Sequence, residues 1–176
     1  GIELESQAAI VTRELWQLAR EASKMGLSSA FEAKDGKEVL TDLKNTELGE
    51  TWLNQYQEFL IRHGWRCQRM HAYDTPAWIE DPALAIGEIK LLLPQELFVL
   101  DAERERIIQE REKMEEEVLS EVPALQREAF KVLMRAARMA SYWSEDHTYY
   151  CDFYIGALGR WIVTEFGRRF AEAGCI

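Results

Sequence analysis

A chain of 176 residues with 47% hydrophobic and 30% charged residues has ordinary globular composition, enough for one domain with a substantial core and too apolar for disorder. Its formal net charge of −10 works against a nucleic-acid backbone or an anionic membrane as partner, since both select basic surface, and no apolar run reaches the roughly 18 residues of a membrane span. Three cysteines, Cys67, Cys151 and Cys175, form no CxxC pair and no disulfide framework, and no segment reads as a signal peptide, so a reducing, cytoplasmic setting is expected.

Taken in chain order, Ile10, Val11, Leu15, Trp16, Leu18 and Ala19 recur at helical spacing within residues 3–25, and Gly26 suits a helix C-terminus. A loop and a short helix around Glu38–Lys44 follow. Thr46 or Glu47 opens a third helix through Trp52, Leu53, Tyr56, Phe59 and Leu60, ended by Gly64. Residues 63–82, "HGWRCQRMHAYDTPAWIEDP", read as a long aromatic connection, with a turn at Asp74-Thr75-Pro76. "ALAIGEIKLLL" is apolar enough for a buried helix stopped by Pro94. "AERERIIQEREKMEEEVLSEV" is a charged, solvated helix with Ile107, Ile108, Met114 and Val118 on a narrow apolar face. From Ala124 to Phe170 the apolar period predicts one helix of about 50 residues, or two broken near an N-cap at Ser144, with Glu145 and Asp146 in the first turn that follows. No stretch alternates convincingly with period two. The expectation is therefore all-α: an irregular bundle of six or seven helices over 1–176, with a very long or kinked C-terminal helix and a long aromatic loop.

Phosphate-binding glycine loops, zinc-protease, serine-hydrolase and calcium-loop motifs are all missing. Cys67 and His71 are four residues apart, but two ligands do not make a zinc site, and no metal site is expected. Two constellations remain. In the aromatic connection, Arg66 and Arg69 suit an anion, His71 and Asp74 a proton relay, and Trp65, Tyr73 and Trp78 the wall of a pocket; the plainer reading is a connection pinned down by its Trp side chains. In "YWSEDHTYYCDFY", a continuous helix would align Trp143, His147, Tyr150 and Tyr154 at spacings of four, three and four. That stripe is either core or the wall of a cavity for a flat ligand. Asp146 and Asp152, six apart, do not share a face.

"FLIRHGWRCQRMHAYDTPAWIEDPALAI" and "SEDHTYYCDFYIGALGRWIVTEFGRRFAEAGCI", in this order and separation, resemble two blocks of the phosphoenolpyruvate-synthase-like phosphotransferases, of the phenylphosphate synthase and rifampin phosphotransferase type. The resemblance covers about Thr46 to Ile176 through diffuse motifs. It implies that the chain is the central helical domain of a larger enzyme, excised from it. In such enzymes ATP phosphorylates a swivelling histidine domain that carries the phosphoryl group to a hydroxyl acceptor held in the helical domain. The resemblance carries over Arg66, Trp78, Glu80, Asp81, His147, Tyr150 and Asp152 as matching positions, whose role is structural or catalytic. The resulting expectation has His147 or His71 as the catalytic base and Arg66, Trp78, Trp143, Tyr150 and Tyr154 as substrate-binding residues. The acceptor would be hydroxylated and possibly aromatic. ATP and Mg, with the ATP-binding and phosphohistidine domains, would belong to the parent enzyme or a partner subunit, because His63, His71 and His147 all stand in the wrong context for a carrier histidine. The competing expectation is a non-catalytic helical scaffold or interaction module.

Overall fold

The computed structural model describes residues 5–32, 34–66, 73–94 and 97–176, the side chains of 97–101 excepted. Helix α1 (Gln7–Lys24) starts at Ser6, whose hydroxyl accepts from the Ala9 amide. It ends in a left-handed turn: Gly26 has φ 73°, and the Leu27 amide reaches back 2.8 Å to the Ala22 carbonyl. Helix α2 (Gly36–Leu43) opens with a reciprocal cap in which Asp35 accepts from the Glu38 amide and Glu38 accepts from the Asp35 amide. Helix α3 (Glu47–His63) is capped by Thr46 and stopped at Gly64, as its sequence predicts. Helix α4 (Ala83–Leu92) is the expected buried helix and inserts Ala85, Ile86 and Ile89.

These four helices enclose the core. Val11, Leu15, Leu18 and Ala19 from α1 meet Val39 and Leu43 from α2, Ile86 and Ile89 from α4, and the α3 series Trp52, Tyr56, Phe59 and Leu60. Trp52 is fully buried; its indole N–H donates to the Leu18 carbonyl at 2.9 Å, so the one polar atom brought inside is satisfied.

The rest of the chain builds an arm. Helices α5 (Leu97–Glu121) and α6 (Arg127–His147) are joined by a short turn at 122–126, and Arg138 of α6 pairs with Glu115 of α5. No described residue of either helix is buried. The possible break at Ser144 does not occur, because α6 runs on through His147 without a stop. A π-helical segment, Thr148–Phe153, then joins it directly to α7 (Tyr154–Glu172), so the long C-terminal helix is present with a wide turn inside it. Asp146, expected in the first turn of a helix of its own, accepts from the Gln7 amide at 2.8 Å and so caps α1 from the far end of the chain.

Among the described residues there is no strand, and no helix is long and apolar enough to cross a membrane. Within the aromatic connection, the chain leaving α3 and the chain entering α4 run side by side, with Trp78 N–H bonded to the Arg66 carbonyl (3.0 Å) and Ile79 N–H to the Gly64 carbonyl (2.7 Å).

Candidate functional site

The arm meets the core where α1, the end of α3, the aromatic connection and the π-helical segment converge. Contacts between the aromatic connection and α7 fix this junction. Glu80 accepts from the Ala77 amide (2.8 Å) and from Arg160 Nε of α7 through both carboxylate oxygens (3.1 and 3.0 Å). Arg160 also donates to the Tyr73 carbonyl. The Tyr73 ring lies over Gly159, where an added Cβ would sit 3.0 Å from it, so the glycine lets the connection approach the helix. Trp65 packs against Tyr154 and Trp161 of α7, with ring centroids 5.0 and 4.9 Å apart.

Inside the junction is a chain of three side chains. His63, the last residue of α3, is only 7% exposed. Its Nδ1 lies 2.7 Å from the Tyr149 hydroxyl, and its Nε2 lies 3.3 Å from Glu14 Oε2 of α1. The other Glu14 oxygen accepts from Arg62 at 2.9 Å. Nε2 and Oε2 are buried without an aligned hydrogen-bond partner. Burial holds the His63 pKa below its ordinary 6.5, against the opposing pull of Glu14, while Arg62 lowers it further; burial likewise raises the Tyr149 pKa, with Tyr150 and Glu14 adding to the rise and the Arg66 charge offsetting part of it. His63 is therefore neutral at pH 7. The unfolded chain protonates at about pH 6.5 while the fold resists the proton, so this histidine's contribution is intact above pH 6.5 and is lost as pH falls below it. Urea midpoints of the native protein should accordingly fall between pH 7.5 and roughly pH 5.5, and His63→Gln should flatten that slope; equal slopes would contradict the burial.

Arg66 completes the junction. Its guanidinium sits over Trp78 on one side and Phe153 on the other, 5.5 and 5.4 Å from the ring centroids. Among the described residues it makes no side-chain hydrogen bond and no ion pair. It is half-buried, and a guanidinium so placed is suited to an anion.

The residues expected from sequence are distributed unevenly around this place. Arg66 is in it. Trp78 is 3% exposed and packed on Phe59, so its ring supports Arg66 from within the core. Tyr150 touches Tyr149 edge-on and is otherwise exposed, and Tyr154 touches Trp65. Trp143 is 70% exposed and pairs with the exposed His147, 5.4 Å between centroids. The single aromatic stripe is thus divided. A π turn takes up more residues than an α turn and rephases everything after it, which turns Tyr149 rather than Tyr150 toward His63. His71, Cys67 and Arg69 lie outside the described residues. The sequence reading did not single out Glu14, His63 or Tyr149. One signal was present: His63 continues the Trp52, Tyr56, Phe59 series at its own period. Of the described clefts, one of about 520 Å³ lies between α1 and α3 beside Glu14 and Arg62, and one of about 500 Å³ lies at the α5–α6 turn beside Pro123 and Phe130. Neither is lined by Trp143, Tyr150 or Tyr154.

Comparison with known proteins supplies an independent line. Residues 6–145 match the family described as the rifampicin phosphotransferase fourth domain. An uncharacterized phosphotransferase, YvkC, of Bacillus subtilis (strain 168) is 27% identical over 167 residues, which is 93% of this chain and 20% of that protein. Chondramide synthase cmdD of Chondromyces crocatus is 28% identical over 147 residues, 81% of this chain and 4% of that protein. The chain therefore spans a fifth or less of the length of these relatives. No solved structure shows significant similarity.

Proposed function

The chain belongs to the rifampicin phosphotransferase fourth-domain family, and from that premise we propose that it is the acceptor-binding domain of an ATP-dependent, cytoplasmic phosphotransferase. The acceptor is a hydroxylated, aromatic small molecule, and the phosphoryl group reaches it from a phosphohistidine domain outside this chain. The observation that carries the reading is Arg66: a half-buried guanidinium, clamped between two rings and unpaired among the described residues, is suited to hold a phosphoryl group in transit. Positioning and charge neutralisation are most of what phosphoryl transfer asks of a protein. The acceptor ring would lie between the described part of the aromatic connection and the residues Trp143, Tyr150 and Tyr154, with His147 at its edge. ATP and Mg are assigned to other domains of the parent enzyme or to a partner subunit.

The test is tryptophan fluorescence of the protein titrated with phenol and with phenyl phosphate, a mimic of the product. Both should quench saturably. Arg66→Ala should weaken phenyl phosphate about 10- to 100-fold, the worth of a charge-assisted hydrogen bond, and phenol much less. His147→Ala and Tyr150→Phe, run on the same titration, test the exposed part of the site. Absence of saturable quenching by either probe, or equal affinities in Arg66→Ala, would overturn the reading. One observation favours the alternative, a scaffold without a ligand. Trp65, Tyr154 and Trp161 already satisfy one another across the junction, as packing aromatics do.

A further inference from the structure

We propose that Tyr149 receives the proton of the acceptor hydroxyl during phosphorylation, with His63 and Glu14 behind it as positioning residues, so that the three side chains form a proton relay. This rests on the acceptor-binding reading above.

The geometry orders the relay. Glu14, His63 and Tyr149 come from α1, α3 and the π-helical segment, and each contact runs between different elements. At 2.7 Å one proton is shared between His63 Nδ1 and the Tyr149 oxygen. Its owner follows from the other side of the ring. Nε2 faces a carboxylate oxygen at 3.3 Å, and two lone pairs there would repel, so the tautomer that fits carries its proton on Nε2. Nδ1 is then an acceptor and the Tyr149 hydroxyl is the donor; the Arg62 carbonyl, 3.5 Å from that hydroxyl, is the longer and weaker of its two acceptors. The same order, a hydroxyl, an imidazole base and a carboxylate behind it, activates nucleophiles on unrelated folds. The Glu14 oxygen facing Nε2 has no other aligned partner, so it is free to tighten on the ring once His63 is charged. The charged groups that face His63 are Glu14 from α1 and Arg62 from α3; Arg66 acts on the Tyr149 hydroxyl.

The step balances. The acceptor oxygen forms its bond to phosphorus as the P–N bond of the donor phosphohistidine breaks, and the electron pair stays on the departing imidazole nitrogen. The acceptor's proton passes to the Tyr149 oxygen, while the Tyr149 proton moves to His63 Nδ1. The product is an imidazolium facing Glu14. Arg66, close enough to act on the Tyr149 charge, is the group that would neutralise the phosphoryl oxygens.

A purely structural network would tie α7 to the core equally well, so the test reads protons rather than stability. Imidazole nitrogen chemical shifts of the protein should show His63 protonated on Nε2 at neutral pH. Tyr149→Phe, which keeps the ring, should raise the His63 pKa by about one unit, because a donor that favoured the neutral form has been removed. A fall in that pKa, or a proton found on Nδ1, would reverse the direction of transfer and overturn the relay without any ligand being present. The second measurement uses 4-nitrophenol, whose ionised form is yellow, at about one pH unit below its own pKa. The bound probe should be several-fold more ionised than the free one. Tyr149→Phe and His63→Gln should abolish that rise while leaving saturable binding in place. Binding with the rise intact in both variants would assign the effect to Arg66 alone and overturn the relay while leaving the acceptor reading standing. No saturable binding would count against the acceptor reading, and the imidazole shifts would still decide the relay.

Discussion

Trp52→Ala should lower the unfolding free energy by about 3–5 kcal/mol, the range for removing a fully buried aromatic side chain. Trp52 has no exposed surface, meets Phe31 edge-on at 5.4 Å and stacks on Tyr56 at 5.3 Å, and bonds α3 to α1 inside the core. Its removal opens a cavity between those helices and takes away the donor aimed at the Leu18 carbonyl. Chemical denaturation in urea is the measurement, with Trp161→Ala as its counterpart. Trp161 is 42% exposed and should cost much less. Comparable losses at the two positions would contradict a core centred on α1–α4.

Gly36→Ala should also destabilise, by about 1–3 kcal/mol or more, although alanine is the better helix former. Gly36 is the first residue of α2, and a Cβ there would press on the backbone of Ala83 at the start of α4, inside the contact distance of its carbonyl oxygen and 2.9 Å from its carbonyl carbon. Backbone cannot rotate away as a side chain can, so the two helices must separate. A lowered urea midpoint at unchanged slope is expected; a stabilised Gly36→Ala protein would mean that α2 and α4 do not touch there.

Much of the fold was legible because its signals are local. Thr46 and Gly64 bound α3, Gly26 closes α1, and the apolar run after Pro82 is a buried helix, each by capping or composition within a few residues. The site was less legible, and a coincidence of spacing shows why. Trp52, Tyr56, Phe59 and His63 are spaced by four, three and four, and so are Trp143, His147, Tyr150 and Tyr154. The first series is the stacked spine of the core and delivers its histidine to Tyr149. The second is exposed at Trp143 and split by the π-helical segment. Periodicity reports a shared face, and only tertiary packing says what that face meets. Asp146 teaches the same lesson, since a carboxylate near a helix start was the right physics applied to the wrong helix. Arg66 was visible from sequence as an anion-binding candidate, but the rings that hold it come from residues 12 and 87 positions further along the chain.

The junction that holds the candidate site is closed by contacts of very long reach: Gln7 to Asp146, His63 to Tyr149 and Glu80 to Arg160, separated by 139, 86 and 80 residues. Closing such spans costs chain entropy before any contact is gained, whereas in the core α1, α2 and α3 follow one another closely along the chain and the α1–α4 bond from Arg20 to Leu92 spans 72 residues. Assembly order follows from that difference. The core condenses early, and the carboxylate, imidazole and phenol are brought into line only when the arm docks. Opening the arm alone dissolves the alignment while leaving the core intact, so exchange of amide hydrogens at 148–153 should outpace that in α3. The most chemically organised part of the molecule is then its last to form and its first to let go.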